Sequence, residues 1–271
     1  GNRSDLSSLV KSLEPAIVRI HVGLAVGSKT GNGFVVDDSG LIVTNHHIVQ
    51  GARNARATFS DGTTKEIVGF RLLAPDKDIA ILQLARPIGN LTVVPLANVF
   101  PKKGEFAATL GSVRGVSLTP SEGIVEAIRS ESELDEYGLT KEGTWIQITA
   151  QISPETSGGP LVSRDGQVIG VNTWIDKTEQ NRNFAISSVD ILEAIAAAKN
   201  DQLVSLSPSR SPMPNPPSKT NRFAGTFKTT PEAFGPIQAE KFEELWFGAF
   251  GERIAWLEVE VGMNMANFDA C

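Results

Sequence analysis

Three short stretches carry side chains that could do nucleophilic chemistry together. "IVTNHHIV", residues 42–49, runs an apolar strand into a polar turn holding His46 and His47. "DKDIAILQL", 76–84, sets Asp78 directly before an apolar strand. "TSGGPLV", 156–162, follows Ser157 with two glycines and a proline. Each alone has an ordinary explanation: a strand-end histidine bonds for structure, an aspartate before a strand forms a turn, and "SGG" is a loop. All three stand at strand-to-turn junctions, in the order His, Asp, Ser. That is one order a triad can take, with serine attacking, histidine accepting its proton and aspartate fixing the imidazole tautomer. His21, inside "VRIHV", matches no such pattern and reads as a structural strand residue.

Other chemistries find little support. Cys271 is the lone cysteine and the last residue, which leaves no intrachain disulfide, no Cys–His metal cluster and no cysteine nucleophile. A triad requires no cofactor and no metal. A formal charge of -6 and a pI near 5.2 lack the basic stripe of a nucleic-acid partner. No apolar run approaches the ~18 residues of a membrane span. No charged-then-apolar signal segment opens the chain, which starts at Gly1 as a processed, trimmed or fragmentary chain would.

The elements that must position these residues are short strands. "SDLSSLVKSLEP" reads first as an amphipathic helix, with Leu6, Leu9, Val10 and Leu13 on one stripe and Pro15 ending it. From Ala16 to about Ile186 apolar runs alternate with turn signals such as "DDSG", "SDGT" and "SRDG", a pattern of antiparallel barrels or a sandwich. "DILEAIAAAKN" is a helix capped by Ser187 or Ser188. "SLSPSRSPMPNPPSKT" has linker composition, and we bound a linker at 201–220. Residues 221–271 form a C-terminal appendage whose many aromatics suit docking, onto this chain or onto a protein partner.

The blocks "GNGFVVDDSGLIVTNHHIV", "DKDIAILQL", "IQITAQISPETSGGPLVSRDGQVIGVNT" and "NFAIS" resemble, in register, the landmarks of trypsin-like serine proteases of the HtrA/Deg group. The resemblance runs from about Leu6 to Lys199. It implies an all-β fold of two six-stranded antiparallel barrels, about 15–97 and 104–187, flanked by an N-terminal and a C-terminal helix within a protease domain of residues 1–200. It implies His47 as base, Asp78 as its partner and Ser157 as nucleophile, with His46 a neighbour and Asp76 a loop residue. The backbone N–H groups of Glu155 and Ser157 are the implied oxyanion donors. Gln151 falls near the base of the primary pocket, or is a buried amide bonded to backbone. Asn172, Thr173, Trp174 and Ala185 fall in its walls. With no acidic residue at the base, small aliphatic or uncharged polar substrate side chains are expected rather than lysine or arginine. Polypeptides are the implied substrates, and the periplasm or the cell exterior the implied compartment. The tail does not read as a PDZ domain, and oligomeric state is open.

One departure bears on activity. Where the family has "GNSGG" this chain has "ETSGG", so Glu155 replaces the glycine that turns its N–H inward at positive φ. Holding a glutamate there costs about 1–3 kcal/mol. If the peptide flips instead, one oxyanion donor is lost, worth about 10²–10³ in rate. Two readings therefore follow: a serine endopeptidase with a switchable oxyanion hole, or a catalytically impaired pseudoprotease that binds peptides.

Overall fold

The computed structural model describes residues 5–86, 89–112, 118–135, 141–173 and 183–206. Trp174, the linker from 207 onward and the appendage at 221–271 lie outside these described residues. The chain opens with α1 (Leu6–Leu13), whose cap Asp5 accepts the Ser8 N–H at 2.7 Å. As the apolar spacing demands, Leu9 and Leu13 are buried and Leu6 and Val10 pack beside them.

Six strands then close the first barrel: β1 (Ile17–Gly23), β2 (Ser28–Val35), β3 (Leu41–Asn45), β4 (Asn54–Thr58), β5 (Thr64–Ala74) and β6 (Ile79–Leu84). Their order around the barrel is β5-β4-β1-β2-β3-β6, with β6 pairing back onto β5. A single helical turn, α2 (His46–Val49), follows β3 directly. The second barrel is built from β7 (Phe106–Ser112), β8 (Leu118–Arg129), β9 (Trp145–Ile148), β10 (Pro160–Val162), β11 (Val168–Thr173) and β12 (Asn183–Ser187), closed in the order β10-β11-β12-β9-β8-β7. Helix α3 (Glu131–Asp135) interrupts it, and α4 (Ser188–Asn200) follows it. Ser187 is the α4 cap, accepting the Asp190 N–H. The all-β double barrel expected from the sequence is the fold observed.

Why "IAILQL" is apolar on both faces is clear from where its side chains go. Ala80, Leu82 and Leu84 fill the interior of barrel 1, whereas Ile79 and Ile81 point the other way into a layer between the barrels. That layer also takes Val43 from β3, Val171 from β11, Phe184 and Ile186 from β12, and the buried faces of α1 and α4. Barrel 2 has its own interior around Ile146, Ile148, Leu161 and Ala185. Strand alternation thus sends one face to each of two cores. The site forms on this inter-barrel layer.

The expected linker does not begin free of the fold. Strand β13 (Val204–Ser205) adds to β5, Leu206 donates its N–H to the Val68 carbonyl at 3.0 Å, and its side chain joins the barrel 1 core. Gly69 makes room, since a Cβ there would meet the Val204 carbonyl oxygen.

Candidate active site

Strand β3 ends at Asn45, and the turn of α2 swings His47 out over the cleft, leaving its side chain 44% exposed. Asp78 stands just before β6, whose Ile79 pairs with Asn45 in register. Among the described residues it is the one non-glycine with positive φ, at 56°. Aspartate is one of the few residues that visit this region routinely, and the Pro75 carbonyl accepts its N–H at 3.2 Å. The bend buries the carboxylate and points both oxygens at one residue. Oδ1 accepts the His47 backbone N–H at 2.9 Å, and Oδ2 lies 2.8 Å from His47 Nδ1. A carboxylate only accepts, so Nδ1 is the donor of this pair, and the tautomer with its proton there presents a bare Nε2. That nitrogen lies 3.3 Å from Ser157 Oγ.

Ser157 comes from the other barrel, and two glycines let it approach. Gly158 sits at φ 82°, and a Cβ on it would collide with the Asn32 carbonyl oxygen, Ile48 and Thr44 of barrel 1. A Cβ on Gly159 would collide with the Leu110 carbonyl oxygen. Fully buried Asn32 in β2 clasps the loop, its Nδ2 donating to the carbonyls of Glu155 and Ser157 and its Oδ1 accepting the Ser112 N–H. Its own N–H donates to the Ser157 carbonyl at 3.0 Å. The sequence reading passed over Asn32; its signal was an amide inside the apolar strand "GNGFVV".

The segment before Ser157 is a 3-10 turn over Pro154–Thr156. Local sequence favours it: Ser153 is extended, as a residue before proline must be, and proline suits the first position of a helical turn. Thr156 Oγ1 accepts the Ser153 N–H at 2.9 Å and donates to the Ser153 carbonyl at 3.1 Å. Glu155 therefore takes the right-handed turn, not the left-handed conformation that the family's glycine would allow. The Ser157 N–H, expected to face an oxyanion, here donates to the Pro154 carbonyl at 3.4 Å.

The residues expected around the pocket separate. Exposed Gln151 borders a cavity of about 430 Å³ together with Thr109, Ser121, Thr149, Ile152 and Asn183, a lining of hydroxyls and amides with one apolar side chain. Its backbone is held by Thr109 and Ser121 hydroxyls. Asn172 is fully buried, and its Nδ2 donates to the carbonyls of Leu110 and Pro160. Its backbone bonds Gly158 and Gly159, so it braces the loop that carries Ser157 from behind. Thr173 is buried and accepts from Asn45 Nδ2 at 2.9 Å. Ala185 faces the barrel 2 interior.

Neighbouring charges frame the site. His46 donates its backbone N–H to the Asp78 carbonyl. Burial, the largest influence, holds its imidazole below the ordinary value, against an opposing pull from Asp78. Lys77 reaches across to Asp190 at 2.8 Å and Glu193 at 3.2 Å, and the bond to Asp190 raises its ammonium above the ordinary lysine value. Asp76 is a loop residue whose carbonyl accepts the Glu142 N–H. His21 sits in β1, partly buried.

Comparison with known proteins identifies the family and the fold. The family model described as a trypsin-like peptidase domain matches residues 31–171, a span that contains His47, Asp78 and Ser157. The mitochondrial serine protease HTRA2 of Bos taurus is 36% identical over 193 residues, covering 68% of this chain and 41% of the relative. The chloroplastic Protease Do-like 1 of Arabidopsis thaliana is 36% identical over 157 residues, covering 56% of this chain and 34% of the relative. The chain thus spans less than half the length of these curated relatives. The crystal structure of the serine endoprotease from Yersinia pestis shares the fold, with a TM-score of 0.63 at 24% identity over 74% of this chain and 69% of that one. From its matched span, its relatives and its double barrel, this chain belongs to the trypsin-like peptidase family, within the HtrA/Deg type.

Proposed function

We propose that this chain is a serine endopeptidase that cleaves exposed or unfolded polypeptides. The observation that carries the reading is the line from Asp78 Oδ2 to His47 Nδ1 at 2.8 Å and from His47 Nε2 to Ser157 Oγ at 3.3 Å. His47 takes the Ser157 proton as Oγ attacks the peptide carbonyl, then delivers it to the leaving amine, while Asp78 holds the tautomer and the imidazolium charge. The 3-10 turn at 154–156 is the resting form of the oxyanion site. Substrate or a partner that rotates the 154–155 peptide withdraws the Pro154 carbonyl and frees the Ser157 N–H for the developing charge. The uncharged lining beside Gln151 suits small aliphatic or uncharged polar side chains. No helix among the described residues is long and apolar enough to cross a membrane. A periplasmic or secreted address belongs to the same proposal, and fractionation of the producing cell checks it.

The Ser157 N–H bond to Pro154 favours one second reading, a peptide-binding pseudoprotease whose site stays closed. Intact-mass analysis after incubation with a fluorophosphonate probe, alongside cleavage of an unfolded protein, separates the two. A single adduct and cleavage, both lost in Ser157→Ala, support the protease. A folded protein that neither labels nor cleaves, with or without peptides, supports the binding module.

A further inference from the structure

The Ser157 hydroxyl has one proton and faces two acceptors. One is His47 Nε2 at 3.3 Å. The other, nearer, is Asn45 Oδ1, to which Oγ donates at 3.0 Å. Asn45 is fully buried at the end of β3, two residues before His47. Its amide is oriented by what its nitrogen finds: Nδ2 donates to Thr173 Oγ1 at 2.9 Å and lies 3.3 Å from the Asp78 carbonyl oxygen. Thr173 Oγ1 passes its own proton to the Val171 carbonyl, so it accepts from Asn45. Oδ1, which can only accept, is thereby left aimed at the nucleophile.

We propose that Asn45 is a positioning residue that parks the Ser157 proton away from the base in the resting enzyme, held in that role by Thr173. The inference rests on the serine-protease reading above. While the hydroxyl points to Asn45, His47 cannot accept its proton, so only the fraction of molecules turned toward His47 reacts. The bond also cannot survive the reaction. As Oγ bonds to the acyl carbon its proton moves to His47 Nε2, and Asn45 Oδ1 loses its donor. An interaction present in the ground state and absent from the transition state slows the chemical step. With the Ser157 N–H on Pro154 and its O–H on Asn45, both donors of the nucleophile are engaged in this conformation. Thr173 lies in the β11 segment expected to border the substrate, so a peptide that shifts β11 slackens the brace and returns the hydroxyl to His47.

The test is the rate of phosphonylation of the full chain by a fluorophosphonate across probe concentrations, which separates the limiting rate from half-saturation. In Asn45→Ala the limiting rate rises about 2- to 12-fold, the ordinary net worth of one hydrogen bond, with half-saturation unchanged. In Thr173→Val it rises less, because Asn45 keeps its contact with the Asp78 carbonyl. A merely structural asparagine predicts the reverse, a slower limiting rate. Asn45→Ala that keeps a cooperative melting transition and labels at or below the wild-type rate overturns the proposal. If that variant does not fold, Thr173→Val decides alone, and an unchanged or slower rate there overturns it too. Wild type that labels, with variants no faster, sinks this inference and leaves the protease reading standing. Folded chains of which none labels sink both.

Discussion

Replacing Glu155 by glycine isolates the conformational preference of one residue. The turn over Pro154–Thr156 keeps Glu155 right-handed, and presenting its N–H to an oxyanion requires the left-handed region. That region costs a residue with a Cβ about 1–2 kcal/mol and glycine nothing. Opening also gives up the Ser157 N–H to Pro154 contact, long at 3.4 Å. The exchange of glutamate for glycine changes the backbone preference of residue 155, and alanine separates that preference from the side chain. Glu155→Gly should raise the open population, and with it kcat/KM on an unfolded protein, by about 5- to 30-fold. Glu155→Ala is the control, because alanine pays the same penalty and should stay near wild type. The assay is turnover of a fluorogenic unfolded protein, with the phosphonylation rate as a readout independent of substrate binding. An unchanged rate in Glu155→Gly refutes the argument. An equal rise in Glu155→Ala also refutes it, since the glutamate side chain and not the backbone would then hold the turn.

Three further outcomes follow from the same geometry. Asp78→Asn should lower kcat by about 10⁴ by presenting the wrong imidazole tautomer, yet leave the melting temperature near wild type because asparagine tolerates φ 56° as well as aspartate does; a matching loss of stability would show that the carboxylate is needed for folding. Gly158→Ala combines left-handed strain with a collision against Asn32, Ile48 and Thr44, so it should cost about 2–5 kcal/mol and be visible as a large drop in denaturation midpoint; a midpoint near wild type would mean the nucleophile loop can retreat from barrel 1. For His46 the fold disfavours the charged ring, so its effect is absent above the ordinary value of 6.5 and grows as pH falls below it, where the unfolded chain binds the proton first. His46→Asn should flatten the fall of melting temperature as pH drops below the ordinary value of 6.5, and an unaltered slope would assign the acid sensitivity to other groups such as His21.

Much of this architecture was legible in the chain. Asp37 in "DDSG" accepts the N–H groups of Ser39 and Leu41, and Gly62 in "SDGT" takes φ 82°, so the turn signals meant what turn chemistry says they mean. The run "IAILQL" could be read as a strand, but its two-sided burial depended on a second barrel that periodicity does not reveal. Glu155 could be seen to forbid one backbone conformation; that "SPET" actively builds the alternative was also written there, as an extended residue before proline and a threonine three positions on. Asn32 and Asn45 were harder. Their roles come from contacts more than a hundred residues away, with the 155–157 segment; Asn32 was hinted at only as an amide inside an apolar strand, and Asn45 stood unremarked in a polar turn beside the histidines. Asn172 was placed by its neighbours in sequence, whereas the alternation of β11 turns its side chain inward to Leu110 and Pro160.

The apolar layer between the barrels has a consequence for the order of events in synthesis. His47 and Asp78 belong to the half of the chain made first, Ser157 to the half made later, and they meet only after Val43, Ile79 and Ile81 have docked against Val171, Phe184 and Ile186. A chain whose second barrel is not yet made, or one nicked between the halves and pulled apart, holds His47 without Ser157 or Ser157 without His47. The proposed chemistry is therefore closed to any chain whose second barrel is unmade or undocked, and a working site reports that both halves have folded and met.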